Sequence, residues 1–322
     1  MKIAVTGSNG FVGIPLCQKL VAAGHDVVGI SRTENGARYT SDLVPSVQPF
    51  AVGDLGGSPQ WGASLSACDA VIHLAGRAHV MKETEKNPNR AFQSANVLGT
   101  KNLLAAAEQA RVKRLVFVST VKVNGDRTPL AKPFSETDTP NPKGPYAVSK
   151  WDAEQVVSRK KADTGLETVI VRPPLVYGPK VKGNLERLMD WISQGVPLPF
   201  ASLTNRRSLV GVRNLSDFLT LAATHPDADG QTYLISDGVD LSTEELCTLI
   251  GTGLGRPARL FKTPETLRRL ALKFPPTLSV ADRIFGSLMV DCNKAKSEIG
   301  WAPPTTVREG ILEMARSFRG RL

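Results

Sequence analysis

Thr6-Gly7-Ser8-Asn9-Gly10-Phe11-Val12-Gly13 sits almost at the start of the 322-residue chain and decides how the rest is read. Ahead of it, Lys2-Ile3-Ala4-Val5 is short and largely apolar, the pattern of a buried strand. Behind it, residues 11–23 are helical in period, with Pro15 in the first turn, where proline is tolerated. A strand that turns through glycines into a helix makes a phosphate cradle. Glycine allows the tight turn and a close approach to the backbone, and the first free N–H groups of the helix point at the anion. The spacing is Gly-x-x-Gly-x-x-Gly rather than Gly-x-Gly-x-x-Gly, and such glycines also serve turns that hold no ligand. The apolar run Val27-Val28-Gly29-Ile30 that follows favours a dinucleotide.

Moving outward, strands are expected at 2–6, 26–31, 47–51, 69–74, 114–119 and 167–172, and helices at 11–23, 88–109 and 146–163. This alternation predicts an α/β fold: a Rossmann-type, doubly wound parallel sheet with helices on both faces. Ligands of such sheets bind at the carboxyl ends of the strands. After Pro173-Pro174 the rhythm changes. Segments 183–194, 214–225, 242–254, 264–273 and 306–318 read as helices, with short strands near 207–211 and 231–235. The expected division is a dinucleotide-binding domain over 1–174 and a smaller, mostly helical substrate lobe over 175–322, with the chain free to cross between them.

Composition narrows the classes. Forty Lys and Arg against thirty Asp and Glu give a net charge of +10, a field that draws anionic ligands or simply a solvated basic surface. No recognition helix, zinc spacing or aromatic–basic strand motif points to nucleic acid. No apolar run reaches the roughly 20 residues of a membrane span, and no leader pattern precedes the first strand. Cys17, Cys68, Cys247 and Cys292 have neither metal-ligand nor redox-motif spacing. No metal is expected, and the compartment implied is a reduced cytoplasm.

The chemistry is carried by Tyr146-Ala147-Val148-Ser149-Lys150, which opens a helix after the proline-rich run 139–145. Residues four apart share a helix face, so Tyr146 and Lys150 reach the same space, either as a surface pair or as a site. A nearby ammonium is expected to lower the phenol's pKa and suit it to proton transfer with a sugar or alcohol oxygen. Thr120, at the end of Leu115-Val116-Phe117-Val118-Ser119, can donate to the same oxygen or satisfy its own turn.

These motifs together resemble the extended short-chain dehydrogenase/reductases, in the nucleotide-sugar epimerase/dehydratase branch. The residues that carry the resemblance are Thr6-Gly7 through Gly13, Gly53-Asp54-Leu55, His73-Leu74-Ala75-Gly76, Asn96-Val97-Leu98-Gly99-Thr100, Val118-Ser119-Thr120, Tyr146 with Lys150, and Arg172 to Pro179. Lys294-Ala295 to Gly300-Trp301 is similar to the family's tail, so the likeness spans nearly the whole chain. It implies Thr120, Tyr146 and Lys150 as catalytic residues. It implies a cofactor site of Gly7, Asn9, Gly10, Phe11, Val12, Gly13, Ser31, Arg32, Asp54, Leu55, Leu74, Ala75, Gly76, Asn96, Tyr146, Lys150 and Pro173. Asn184, Arg207 and Arg283 would meet the diphosphate of a UDP-sugar, although Arg283 also reads as a surface charge. A homodimer through helices 88–109 and 146–163 is a further implication.

The second strand ends Gly29-Ile30-Ser31-Arg32, with no carboxylate for an adenosine ribose. A guanidinium and a hydroxyl there suit a 2′-phosphate, which favours NADP over NAD. Arg32 stacked on adenine, or solvated, is the other reading. Val121-Lys122 stands where the family's 4,6-dehydratases carry Asp-Glu, which argues against elimination. Leu175 replaces an Asn found in many relatives. The expectation is therefore an NADPH-dependent reductase, similar to those that form UDP-N-acetylquinovosamine from a UDP-4-keto-6-deoxy-N-acetylhexosamine. The alternatives are a UDP-hexose or UDP-N-acetylhexosamine 4-epimerase with tightly held NAD, and a non-catalytic NADP sensor.

Overall fold

A computed structural model describes residues 1–78, 85, 87–130, 132–262 and 286–320. Its centre is a seven-stranded parallel sheet. In chain order the strands and first helices are β1 (Lys2–Thr6), α1 (Gly13–Ala22), β2 (Asp26–Ser31), α2 (Glu34–Leu43), β3 (Val47–Ala51) and β4 (Ala70–His73). Then come α3 (Pro88–Phe92), a π turn at Gln93–Leu98, α4 (Gly99–Gln109), β5 (Arg114–Val118), α5 (Gly144–Thr164) and β6 (Glu167–Arg172). The later elements are β7 (Leu175–Tyr177), α6 (Asn184–Gln194), β8 (Leu198–Ala201), β9 (Leu209–Gly211), α7 (Val212–Thr224), β10 (Thr232–Leu234), α8 (Thr243–Leu254), β11 (Leu260–Lys262), α9 (Asn293–Ile299) and α10 (Val307–Arg319).

The sheet order is β3-β2-β1-β4-β5-β6-β10. Chain direction across the sheet reverses between β1 and β4, and a crevice opens above their carboxyl ends. The strands are apolar on both faces because both are covered. Leu16, Cys17 and Leu20 of α1 and Leu215, Phe218 and Leu219 of α7 cover one face. Leu103, Leu104 and Ala107 of α4 and Ala153 and Val157 of α5 cover the other. A separate core joins α6, α8 and α10 through Met189, Ile250, Ile311 and Met314. The helical lobe expected after β6 is thus present. The chain also returns from it: α7, β10 and α9 pack into the first core, β10 pairing parallel with β6.

Several elements depart from the sequence reading, including β7, β8, β11 and α9, for which it has no expectation. The helix expected over 88–109 is interrupted by the π turn, which seats the buried Asn96 among polar partners. Helix α2 was not expected, because only Gly36, Ala37 and Thr40 of its ten residues are buried and the sequence shows no apolar stripe. Helix α1 starts at Gly13, since Phe11 and Val12 belong to the turn. The helix expected at 264–273 lies outside the described residues.

Candidate active site

The glycine turn is shaped by contacts that admit no side chain. Gly7 has φ +70°, and a Cβ on it would meet the Ala75 nitrogen at 3.0 Å. A Cβ on Gly13 would lie 2.3 Å from the Gly7 carbonyl oxygen. Gly7 N donates to Ile30 O at 2.8 Å and Gly10 N to Gly7 O at 3.0 Å, so the turn is braced on β2 and on itself. Val12 packs on the sheet core and Phe11 on the core of the helical lobe, which puts the turn between the two.

Around this cradle lie the other residues expected to bind a dinucleotide. Ser31 is buried, its hydroxyl 3.1 Å from that of Ser8, while Arg32 is exposed at the end of β2. Asn9 reaches over Gly36 of α2. Ser31 O and Arg32 O accept from Val52 N and Gly53 N, which ties the Asp54–Leu55 loop to the same edge. Asp54 is exposed, and Leu55 is half-buried with its carbonyl accepting from Asn102. Leu74, Ala75 and Gly76 follow β4, and Ala75 N donates to Thr6 Oγ1. Asn96 accepts from Arg77 N at 2.7 Å and donates to Arg77 O and to Ser149 Oγ, so it holds this loop against α5. Pro173 is buried, and its carbonyl accepts from Val121 N at 3.0 Å. The glycine cradle and the buried Ser119 hydroxyl, which has no hydrogen-bond partner among the described residues, both fit a dinucleotide lying across the crevice.

Thr120 and Tyr146 arrive from different elements and meet. Thr120 caps the short 3₁₀ turn Val121–Val123 at the end of β5, its Oγ1 accepting from Lys122 N at 3.3 Å. That contact leaves the hydroxyl proton free, and the hydroxyl lies near enough to the Tyr146 phenol to favour its ionised form. Tyr146 lies in the first turn of α5, with Phe92 of α3 beside it at 6.1 Å between ring centroids. Burial pushes the phenol above its ordinary pKa, and the nearby Thr120 hydroxyl only partly offsets this. The sequence reading expected the opposite direction. Desolvation dominates here, so at neutral pH the phenol keeps its proton and can give it up.

Lys150 is buried, with Nζ 4.1 Å from the Phe117 ring centroid. Burial lowers its pKa to about 8, against the pull of the Glu154 carboxylate. His73 is buried between Thr6 and Thr100, bonded to both hydroxyls at 2.7 and 3.2 Å. Burial first, and the Lys150 charge second, lower its pKa to about 3, so it is neutral.

Asn184 is exposed at the start of α6. Arg207 is half-buried, bridged to Leu241 and Leu288, and its Nη1 donates to Gly286 O at 3.0 Å. Arg283 lies outside the described residues.

Comparison with known proteins agrees with this fold. Residues 3–236 match the NAD dependent epimerase/dehydratase family. The chain belongs to that family. A UDP-glucose 4-epimerase of Vibrio cholerae is 37% identical over 317 residues, 98% of this chain and 95% of that protein. The crystal structure of a UDP-glucose 4-epimerase from Thermotoga maritima with UDP-glucose superimposes with a TM-score of 0.78 at 22% identity, covering 100% of this chain and 99% of that one. A UDP-glucuronic acid 4-epimerase from Bacillus cereus in complex with NAD does so with a TM-score of 0.79 at 21% identity, over 100% and 99%.

For this epimerase/dehydratase chain, the sequence reading passed over several residues that shape the site. Glu154 continues the Tyr146, Lys150 period by four, a signal present in the sequence. Asn124 and Phe92 gave none, since their roles depend on partners far along the chain. Among the described residues no group of three His, Cys, Asp or Glu could hold a metal, and no helix is long and apolar enough to cross a membrane.

Proposed function

We propose that the protein carries out nicotinamide-linked redox chemistry at C4 of a UDP-sugar, as a reductase of a UDP-4-keto-6-deoxy-N-acetylhexosamine that yields UDP-N-acetylquinovosamine. The observation that carries this reading is the meeting of the Thr120 and Tyr146 hydroxyls beside a buried Lys150, at the carboxyl edge of the sheet and next to the glycine cradle. The nicotinamide, when bound, supplies the hydride. Tyr146 gives its proton to the C4 oxygen as the alcohol forms, and Thr120 donates a hydrogen bond to that oxygen. Lys150 holds the nicotinamide ribose and adds a positive field. Asn184, Arg207 and Arg283 meet the diphosphate.

NADP is the preferred cofactor in this reading, through Ser31 and Arg32 at a strand end with no carboxylate. Lys122, paired with Asp126 at 2.6 Å, occupies the place of the dehydratase carboxylates, so reduction or epimerisation is favoured over elimination. The protein acts in the cytoplasm as a homodimer built on the α3–α4 helix and α5, where Leu98 and Val148 are 43% and 37% exposed. A 4-epimerase is the second reading, favoured by the 37% identical Vibrio cholerae relative.

The test is to identify any dinucleotide that copurifies and to follow NADPH absorbance with a panel of nucleotide 4-keto sugars. A reductase consumes NADPH with one of them. Retained NAD, together with interconversion of UDP-hexoses without added cofactor, would establish the epimerase instead.

A further inference from the structure

Arg172 ends β6 with 4% of its surface exposed, and Glu154 beside it has 1%. Nε and Nη2 of Arg172 donate to the two carboxylate oxygens of Glu154 at 3.0 and 2.6 Å. Its Nη1 donates to Asn124 Oδ1 at 3.1 Å, and the Trp151 ring lies 5.9 Å from the guanidinium. Glu154 stands one helical turn beyond Lys150 and two beyond Tyr146 on α5. Asn124 closes the short turn that Thr120 opens, and it also donates to Ser135 O at 3.0 Å. One guanidinium is therefore bonded at once to the helix that carries Tyr146 and to the turn that carries Thr120.

Charge neutralisation does not account for the third bond. The ion pair with Glu154 is complete in two, and Asn124 is neutral. Buried ion pairs are weak contributors to stability, and apolar residues of similar volume serve as well. What apolar contact lacks is direction. A planar fork fixes angle as well as distance.

We propose that Arg172 is a positioning residue that, through Glu154 and Asn124, sets the separation of the Thr120 hydroxyl from the Tyr146 phenol. Its catalytic meaning rests on the reading of those two hydroxyls as the proton-donating pair, but the geometry is testable without substrate. Thr120 faces the phenol from the turn, Phe92 from α3, and Lys150 stands on the same helix face, with neutral His73 of β4 beyond it. The nearby Thr120 hydroxyl eases the ionisation of the phenol. Moving the turn away from α5 therefore makes Tyr146 harder to ionise.

The experiment measures tyrosinate absorbance within milliseconds of a jump to high pH. Each protein is compared with its Tyr146→Phe counterpart, so that only Tyr146 is read. Thr120→Val raises the Tyr146 midpoint. Asn124→Leu, which leaves the Arg172–Glu154 pair intact, raises it to the same level, and the double variant rises no further. Arg172→Lys behaves like Asn124→Leu; if it does not fold, the Asn124 series decides alone. An Asn124→Leu midpoint equal to wild type would overturn the assignment. So would shifts that add in the double variant, or a Thr120→Val midpoint that does not move. Failure to find a nucleotide-sugar activity is a separate measurement and leaves these midpoints standing.

Discussion

Gly13→Ala probes the cradle at its tightest point. The added methyl would lie 2.3 Å from Gly7 O and 2.5 Å from Ser8 O. Carbon and oxygen approach no closer than about 3.3 Å even in favourable contacts, so the loop must retreat by about 1 Å. Both obstacles are backbone, so no rotamer change relieves them. Retreat breaks Gly10 N to Gly7 O and strains Gly7 N to Ile30 O. Two such bonds are worth about 1 kcal/mol each, and overpacking adds about 1–3 kcal/mol. Of the resulting sum, a share of about 1.4 kcal/mol falling on the dinucleotide raises its Kd tenfold. Fluorescence titration with NADPH and NADH should show at least that loss, and urea unfolding should show the remainder. Gly10→Ala is the control. Its methyl would meet Gly7 O at 3.1 Å, a misfit of only a few tenths of an ångström, and its effect should be much smaller. Wild-type cofactor affinity and stability in Gly13→Ala, or a larger loss in Gly10→Ala, would refute the reasoning.

Four further outcomes are expected. Tyr146→Phe should lower turnover at least about 100-fold while dinucleotide affinity stays near wild type, since the ring packing survives and the proton does not. Arg32→Ala should raise KM for NADPH far more than for NADH; equal effects would remove the 2′-phosphate role. His73 has a folded pKa of about 3 against 6.5 when free, so the unfolded chain binds the extra proton as pH falls through that window. Stability therefore drops on acidification, by about 1.4 kcal/mol per pH unit. Between pH 6.5 and 5, urea unfolding of wild type should lose about 2 kcal/mol more than that of His73→Asn. Leu98→Glu should convert a dimer to monomer in sedimentation velocity; an unchanged species would place the interface elsewhere.

Much of the fold was legible because its signals are local. The β1–turn–α1 unit, the strands of the sheet core and the Tyr146, Lys150 pair all rest on spacing within a few residues. Helices α6, α8 and α10 showed a regular apolar period. Helix α2 was hidden because Glu34–Leu43 is mostly polar and held by its ends and neighbours. Strand β10 is three residues long, and nothing in Thr232–Leu234 says that it will pair with β6. The π turn was invisible because Asn96 earns its place from Arg77 and Ser149, 19 and 53 positions away. The rise in the Tyr146 pKa was missed because desolvation depends on what covers a residue, which spacing does not reveal.

By itself the sequence determined the glycine turn, the parallel α/β core and the candidate residues Tyr146 and Lys150, since each depends on backbone freedom, periodicity or a four-residue helical offset. Only the tertiary structure decided how those residues face one another. It brought Thr120 near Tyr146, kept His73 uncharged by burial, paired Glu154 with Arg172, and gave Arg172 its three bonds. Those outcomes depend on desolvation and directional contact between segments far apart in the chain, and both exist only after the sheet and its helices have closed around them.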